Sequence, residues 1–123
     1  MDLKDLDSQK FMIDGEESDK MASGLVVPKL EYRVPKVTYG DFTLWESENG
    51  WECTHADVYV SAENIIIVLG LENGSESGYK AQLKLADREW QEIEMFEVNR
   101  LLFDIVIMDI DERNLRGRFL RHA

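Results

Sequence analysis

From Val37 onward, polar and apolar side chains alternate in short runs separated by turn residues. A period of two admits strands and disfavours helices, because successive strand side chains point to opposite faces. Val37 to Glu46 carries Phe42 and Leu44 on one parity, Thr43 and Trp45 on the other. Asn49-Gly50 follows, and then a second run from Trp51 to Val60. Asn-Gly between two β-rich runs predicts a hairpin, since both residues tolerate positive φ. Such a hairpin sets Trp51 beside Glu48 and Trp45 beside Thr54, on opposite faces. Ala62-Glu63-Asn64 is a second turn. Ile65-Ile66-Ile67-Val68-Leu69 is apolar on both parities, as expected of a central strand buried on both faces. Glu72 to Gly78 reads as a loop, after which Tyr79, Ala81, Leu83 and Leu85 alternate with Lys80, Gln82 and Lys84.

Residues 87–98 fit two patterns. Asp87 is a suitable helix cap with Trp90 and Ile93 on one face, but Met95, Phe96 and Val98 continue that face poorly. The alternative is a strand from Ile93 to Val98 turning at Asn99-Arg100, followed by a β-branched strand from Leu101 to Ile110. Asp111 to Asn114 is then a turn, and Leu115, Gly117 and Phe119 alternate with Arg116 and Arg118. The fold expected is mainly β: an antiparallel meander forming a small sandwich or barrel of about 6–8 strands. One helix near 87–98 is the open element, and the alternative is α+β with a helix packed on an antiparallel sheet.

Residues 1–24 show sparse apolar residues without a sustained period, and they read as a flexible acidic N-terminal arm. Residues 25–123 then form one β-rich domain, a reasonable size for a single core. Val27-Pro28-Lys29 and Val34-Pro35-Lys36 suggest extended segments or an edge strand, because each proline removes a donor and holds its predecessor extended.

The chain has 25 acidic and 14 basic side chains, a net charge of −11. That charge opposes direct binding to nucleic acid or anionic membrane. No apolar run reaches the ~18 residues of a membrane span. Cys53 is the only cysteine, which points to a reducing, cytoplasmic setting. With two histidines beside it, the chain lacks the four nitrogen or sulfur ligands of a structural zinc. No metal or other cofactor is expected.

The charge is concentrated. Residues 37–79 hold eight acids and no Lys or Arg, whereas residues 99–123 are net +1. The acidic stretch also holds several aromatic residues. A one-sign surface steers an oppositely charged partner, and aromatic anchors slow its departure. The partner-binding residues expected are Trp45, Glu46, Glu48, Trp51, Glu52, Asp57, Tyr59, Glu63, Glu72 and Glu76.

Candidate chemistry is weak by comparison. Cys53, His55, Asp57 and Tyr59 alternate along one run and so share a face. Side chains two apart on a strand run parallel, roughly 6.5–7 Å apart, instead of converging to hydrogen bonds. Asp109, Asp111 and Glu112 are of the type found in two-metal sites, but a strand-closing turn explains them equally. Gly70, Gly74 and Gly78 match no phosphate-binding fingerprint. Arg113, Arg116, Arg118 and Arg121 make a basic C-terminal face suited to pairing with the chain's own carboxylates. No enzyme is expected.

The function these observations favour is an acidic protein-binding inhibitor. Its most concrete form is a bacterial immunity protein or antitoxin that neutralises a basic, nuclease-type toxin. The alternatives are a DNA mimic inhibiting a restriction or CRISPR nuclease, and a small β-barrel holding an apolar ligand. A monomer or weak dimer is expected.

Overall fold

The structure is a computed structural model that describes residues 1–18, 21–30 and 32–104. Among these residues eight strands run in chain order: β1 (Phe11–Glu17), β2 (Met21–Pro28), β3 (Lys36–Tyr39), β4 (Phe42–Glu46), β5 (Glu52–Ser61), β6 (Asn64–Glu72), β7 (Ser77–Leu85) and β8 (Gln91–Ile93). One helix, α1, occupies residues 95–104. The main sheet has six strands in the order β1-β2-β5-β6-β7-β8, all antiparallel, and β3-β4 form a separate two-stranded sheet. The fold is mainly β with one helix, as the alternation predicts. Among the described residues the six strands do not close on themselves, and the hairpin and helix lie on the sheet's two faces as layers.

Strand β6 is the centre of the molecule. Ile67 and Leu69 enter one core, Ile66 and Val68 the other. The first core lies under the β3-β4 hairpin, where Val37, Leu44 and Trp45 pack against Val26, Ala56, Ile67 and Leu69. Gln82 is buried there, and its Nε2 donates to the Leu44 carbonyl at 3.3 Å, tying the hairpin to the sheet. Burying an amide is tolerable only with such a partner. The second core lies under α1, where Val98 meets Ile66, Val68, Ala81 and Leu83.

Three expectations are corrected. The N-terminal stretch expected to be a flexible arm over 1–24 is built into the fold where it is described: β1 and the start of β2 form the first hairpin of the main sheet. Ahead of them, Leu3 N donates to Thr38 O at 2.9 Å and Thr38 N to Met1 O at 2.8 Å, adding a parallel bridge to β3. The pattern hides β1 because it is an edge strand. All its residues but Phe11 are exposed, and Asp14, Glu16 and Glu17 discourage further pairing.

The helix starts at 95, not 87, and runs straight through Asn99-Arg100 where a turn was expected. Val98, Leu101 and Leu102 form its inward stripe at i, i+3 and i+4, while Phe96 and Phe103 face solvent. Glu94 and Glu97 near its start suit the positive end of the helix dipole. Residues 101–104 are thus helical instead of opening a strand. The rest of that expected strand, the turn at 111–114, the Leu115–Phe119 alternation, the Asp109–Glu112 cluster and the C-terminal arginines lie outside the described residues.

The Asn49-Gly50 turn forms, with φ of 54° and 78°. The strands it joins do not pair with each other: β4 pairs with β3, and β5 with β2 and β6. The turn therefore passes the chain from one sheet layer to the other, so Trp45 and Trp51 both reach the same core cluster instead of opposite faces.

Candidate functional site

Five of the ten residues expected to bind a partner are glutamates gathered at one end of the sheet. Glu46 ends β4 and Glu48 sits in the turn that follows. Glu52 opens β5 and is in register with Glu72 at the end of β6. Glu76 lies in the loop joining β6 to β7. That loop is held by the Asn73 side chain, whose Oδ1 accepts from Glu76 N at 2.9 Å. The turn between β4 and β5 is held by Ser47 Oγ donating to Trp51 O at 2.6 Å and Trp51 N donating to Glu48 O at 3.1 Å. The glutamates are thus carried on short, internally bonded connections.

Like charges directly opposite destabilise a sheet pair, and Glu52 and Glu72 are such a pair. Arg33 offsets part of the repulsion: its Nη1 lies 2.7 Å from Glu52 Oε1. Both groups are solvated, so the bridge is worth at most about 1 kcal/mol. Lys36 stands across from Glu46 on β3.

The two tryptophans separate here. Trp45 is a core residue at 8% exposure, while Trp51 is half-buried. Both border an open cleft of about 640 Å³ whose rim includes Glu46, Glu48, Tyr79 and Lys80. Tyr79, at 64% exposure, is the most exposed aromatic in this lining. Sequence reasoning left out Tyr79 and Lys80. The parity of β7 is correctly read, but no local signal places its first turn beside the Asn49-Gly50 turn.

The remaining three residues are elsewhere. Glu63 is at the opposite end, in the β5–β6 turn. Asp57 and Tyr59 are mid-strand on the sheet face that carries α1, beside Asp14, Glu16, Ser23 and Leu25. Burial, and then the nearby Asp57 carboxylate, push the Tyr59 hydroxyl above its ordinary value, so it stays protonated. Asp14 and Glu16 fell in the stretch read as an arm, which is why they were missed.

Cys53, His55, Asp57 and Tyr59 do not share a face. A bulge between Cys53 and His55 turns Cys53 into the first core, next to Ala56. There its Sγ donates to the His55 carbonyl at 3.3 Å, and burial pushes the thiol up to about 11. A protonated, buried thiol is a poor nucleophile. The His55 ring lies on the other face, over Gly70, with Thr54 Oγ1 at 3.0 Å from Nδ1. A Cβ at Gly70 would fall 2.8 Å from Nε2 and nearer still to Nδ1 and Cε1. The glycine is the space the imidazole occupies.

Among the described residues, no group of three or more His, Cys, Asp or Glu is arranged to hold a metal ion, and no helix is long and apolar enough to cross a membrane. What the glutamate end offers is recognition: carboxylate acceptors around an aromatic rim, suited to lysine and arginine side chains. Comparison with family models, curated proteins and solved structures finds no match.

Proposed function

We propose that this chain is an acidic inhibitor that binds a basic protein, acting as a bacterial immunity protein or antitoxin against a nuclease-type toxin in the cytoplasm. The observation that carries the reading is the gathering of Glu46, Glu48, Glu52, Glu72 and Glu76 around Trp51 and Tyr79 at one end of the sheet. A nuclease surface is basic because it holds phosphate, and a carboxylate-rich end complements it. Steering raises the association rate by about 10–10³-fold, and the aromatic rim supplies contact that outlasts the encounter.

The test is binding to the nuclease toxin encoded beside the gene for this chain. Sub-micromolar affinity and loss of nuclease activity are expected. Glu46→Lys/Glu48→Lys should slow association and flatten its salt dependence, with the circular dichroism spectrum unchanged. Absence of binding sinks the reading, and unaltered association kinetics move the interface away from this end. Duplex DNA competing for the same toxin surface would favour a blocked active site.

A further inference from the structure

Trp51 stands between two clefts at the glutamate end. It lines the open cleft of about 640 Å³ and, with Arg33, Pro35, Ser47 and Glu52, a smaller one of about 240 Å³. Its position follows from the path of the chain. Trp51 comes directly after the Asn49-Gly50 turn, where the chain leaves the β3-β4 hairpin for β5. Part of its side chain packs against the first core, and the rest is left to the clefts. Ser47 Oγ, donating to Trp51 O at 2.6 Å, fixes the backbone that carries it.

The two clefts share a construction and differ in content. In the smaller, the chain's own Arg33 shares the lining with Trp51, and its Nη1 lies 2.7 Å from Glu52 Oε1. An indole, a carboxylate and a guanidinium thus already meet once in this chain. The larger cleft repeats the first two, with Trp51 and the exposed Glu46 and Glu48. Among the described residues its lining holds no arginine, and its one cation is Lys80. Two carboxylates against one ammonium leave a single negative charge uncompensated.

We propose that the larger cleft takes an arginine side chain of the basic partner, held as Arg33 is held in the smaller one. The inference rests on the proposed function for the existence of that partner, and adds the residue type that enters. Arginine is favoured over lysine by shape and hydration. A guanidinium is planar, so it lies on an indole while its edge donates to carboxylates in a fork. An ammonium is compact, more strongly hydrated and has no such edge. Glu46 and Glu48 supply the acceptors from one rim, two residues apart. Leu44, Trp45 and Leu71 complete the lining and suit the methylene stem of a long cationic side chain.

Calorimetric titration of the full chain with hexa-arginine and with hexa-lysine, both capped at their ends, tests this without the toxin. Hexa-arginine should bind about fivefold more tightly. Amide shifts in a heteronuclear NMR spectrum should appear at Asn49, Gly78 and Lys80, which line the cleft, and not at Glu63 at the opposite end. Glu46→Gln/Glu48→Gln, at exposed positions, should bring the two peptides to equal affinity. Trp51→Leu should do the same, with circular dichroism checking its fold, and Glu63→Gln should leave the preference intact. Equal binding of the two peptides by the unaltered chain overturns the proposal, as does a preference that survives Glu46→Gln/Glu48→Gln. Shifts centred away from the cleft overturn it as well. These outcomes are separate from toxin binding: an arginine preference in a chain that binds no toxin keeps the cleft and sinks the proposed function.

Discussion

The two faces of the six-stranded sheet are made by the same strands and end differently. On one, the β3-β4 hairpin and the N-terminal residues seal Ile67, Leu69, Ala56 and Cys53 from water. On the other, α1 packs over the β6-β7 side, and among the described residues nothing seals Asp14, Leu25 and Asp57. A single strand shows the divergence: in β5, Ala56 is wholly buried while Asp57, one residue on, lines the open groove. Strands do not determine whether a face becomes core or surface; what packs across the face does.

The largest test of that contrast is Trp45→Ala. It empties a core position between the hairpin and the sheet and should cost about 3–5 kcal/mol in denaturant unfolding. Trp51→Ala, at a half-buried position, should cost clearly less. Equal costs would mean that the hairpin does not seal this face.

A second test uses pH. The Cys53 thiol rises from 9.0 to about 11 because the sealed face disfavours the thiolate. The unfolded chain then loses this proton before the folded one does. The stability linked to Cys53 is complete below pH 9 and is lost as pH rises through about 11. The loss should be about 3 kcal/mol, and a Cys53→Ala variant should lack that component. An identical pH slope in the two proteins would show that the thiol is not shielded.

The smallest effect belongs to the other face. Gly70→Ala drives a methyl into the half-buried His55 ring, so the ring must shift and about 1 kcal/mol is expected. In a His55→Ala background the cost should vanish. If it persists, backbone conformation and not the imidazole requires the glycine.

Much of the strand content was legible because burial and alternation are local. The five apolar residues of β6 announce a strand between two cores, and β7 is read with the right parity and end, though it begins at Ser77, inside the stretch read as a loop. The site was legible in part. Glu46, Glu48, Glu52, Glu72 and Glu76 do gather, because short connections return the chain to one end. Asp57, Tyr59 and Glu63 separate from them, since a ten-residue strand carries its middle and far end away from its start. Edge strand β1 lacks the alternation of a half-buried strand, because solvent reaches both of its sides. The bulge in β5 is one unpaired residue, which no side-chain pattern reports and which moves Cys53 to the other face.

Composition and periodicity alone determined that this chain is β-rich, strongly acidic and turned at Asn49-Gly50, because strand alternation and turn φ values depend on neighbours in the chain. Only the tertiary structure decided that the turn links two sheets, that residues 1–17 join the fold, that the helix begins at 95, and which half of one face α1 covers. Those outcomes depend on which distant strands pair and what covers them, and pairing energy between distant residues leaves no periodic trace in the order of the side chains.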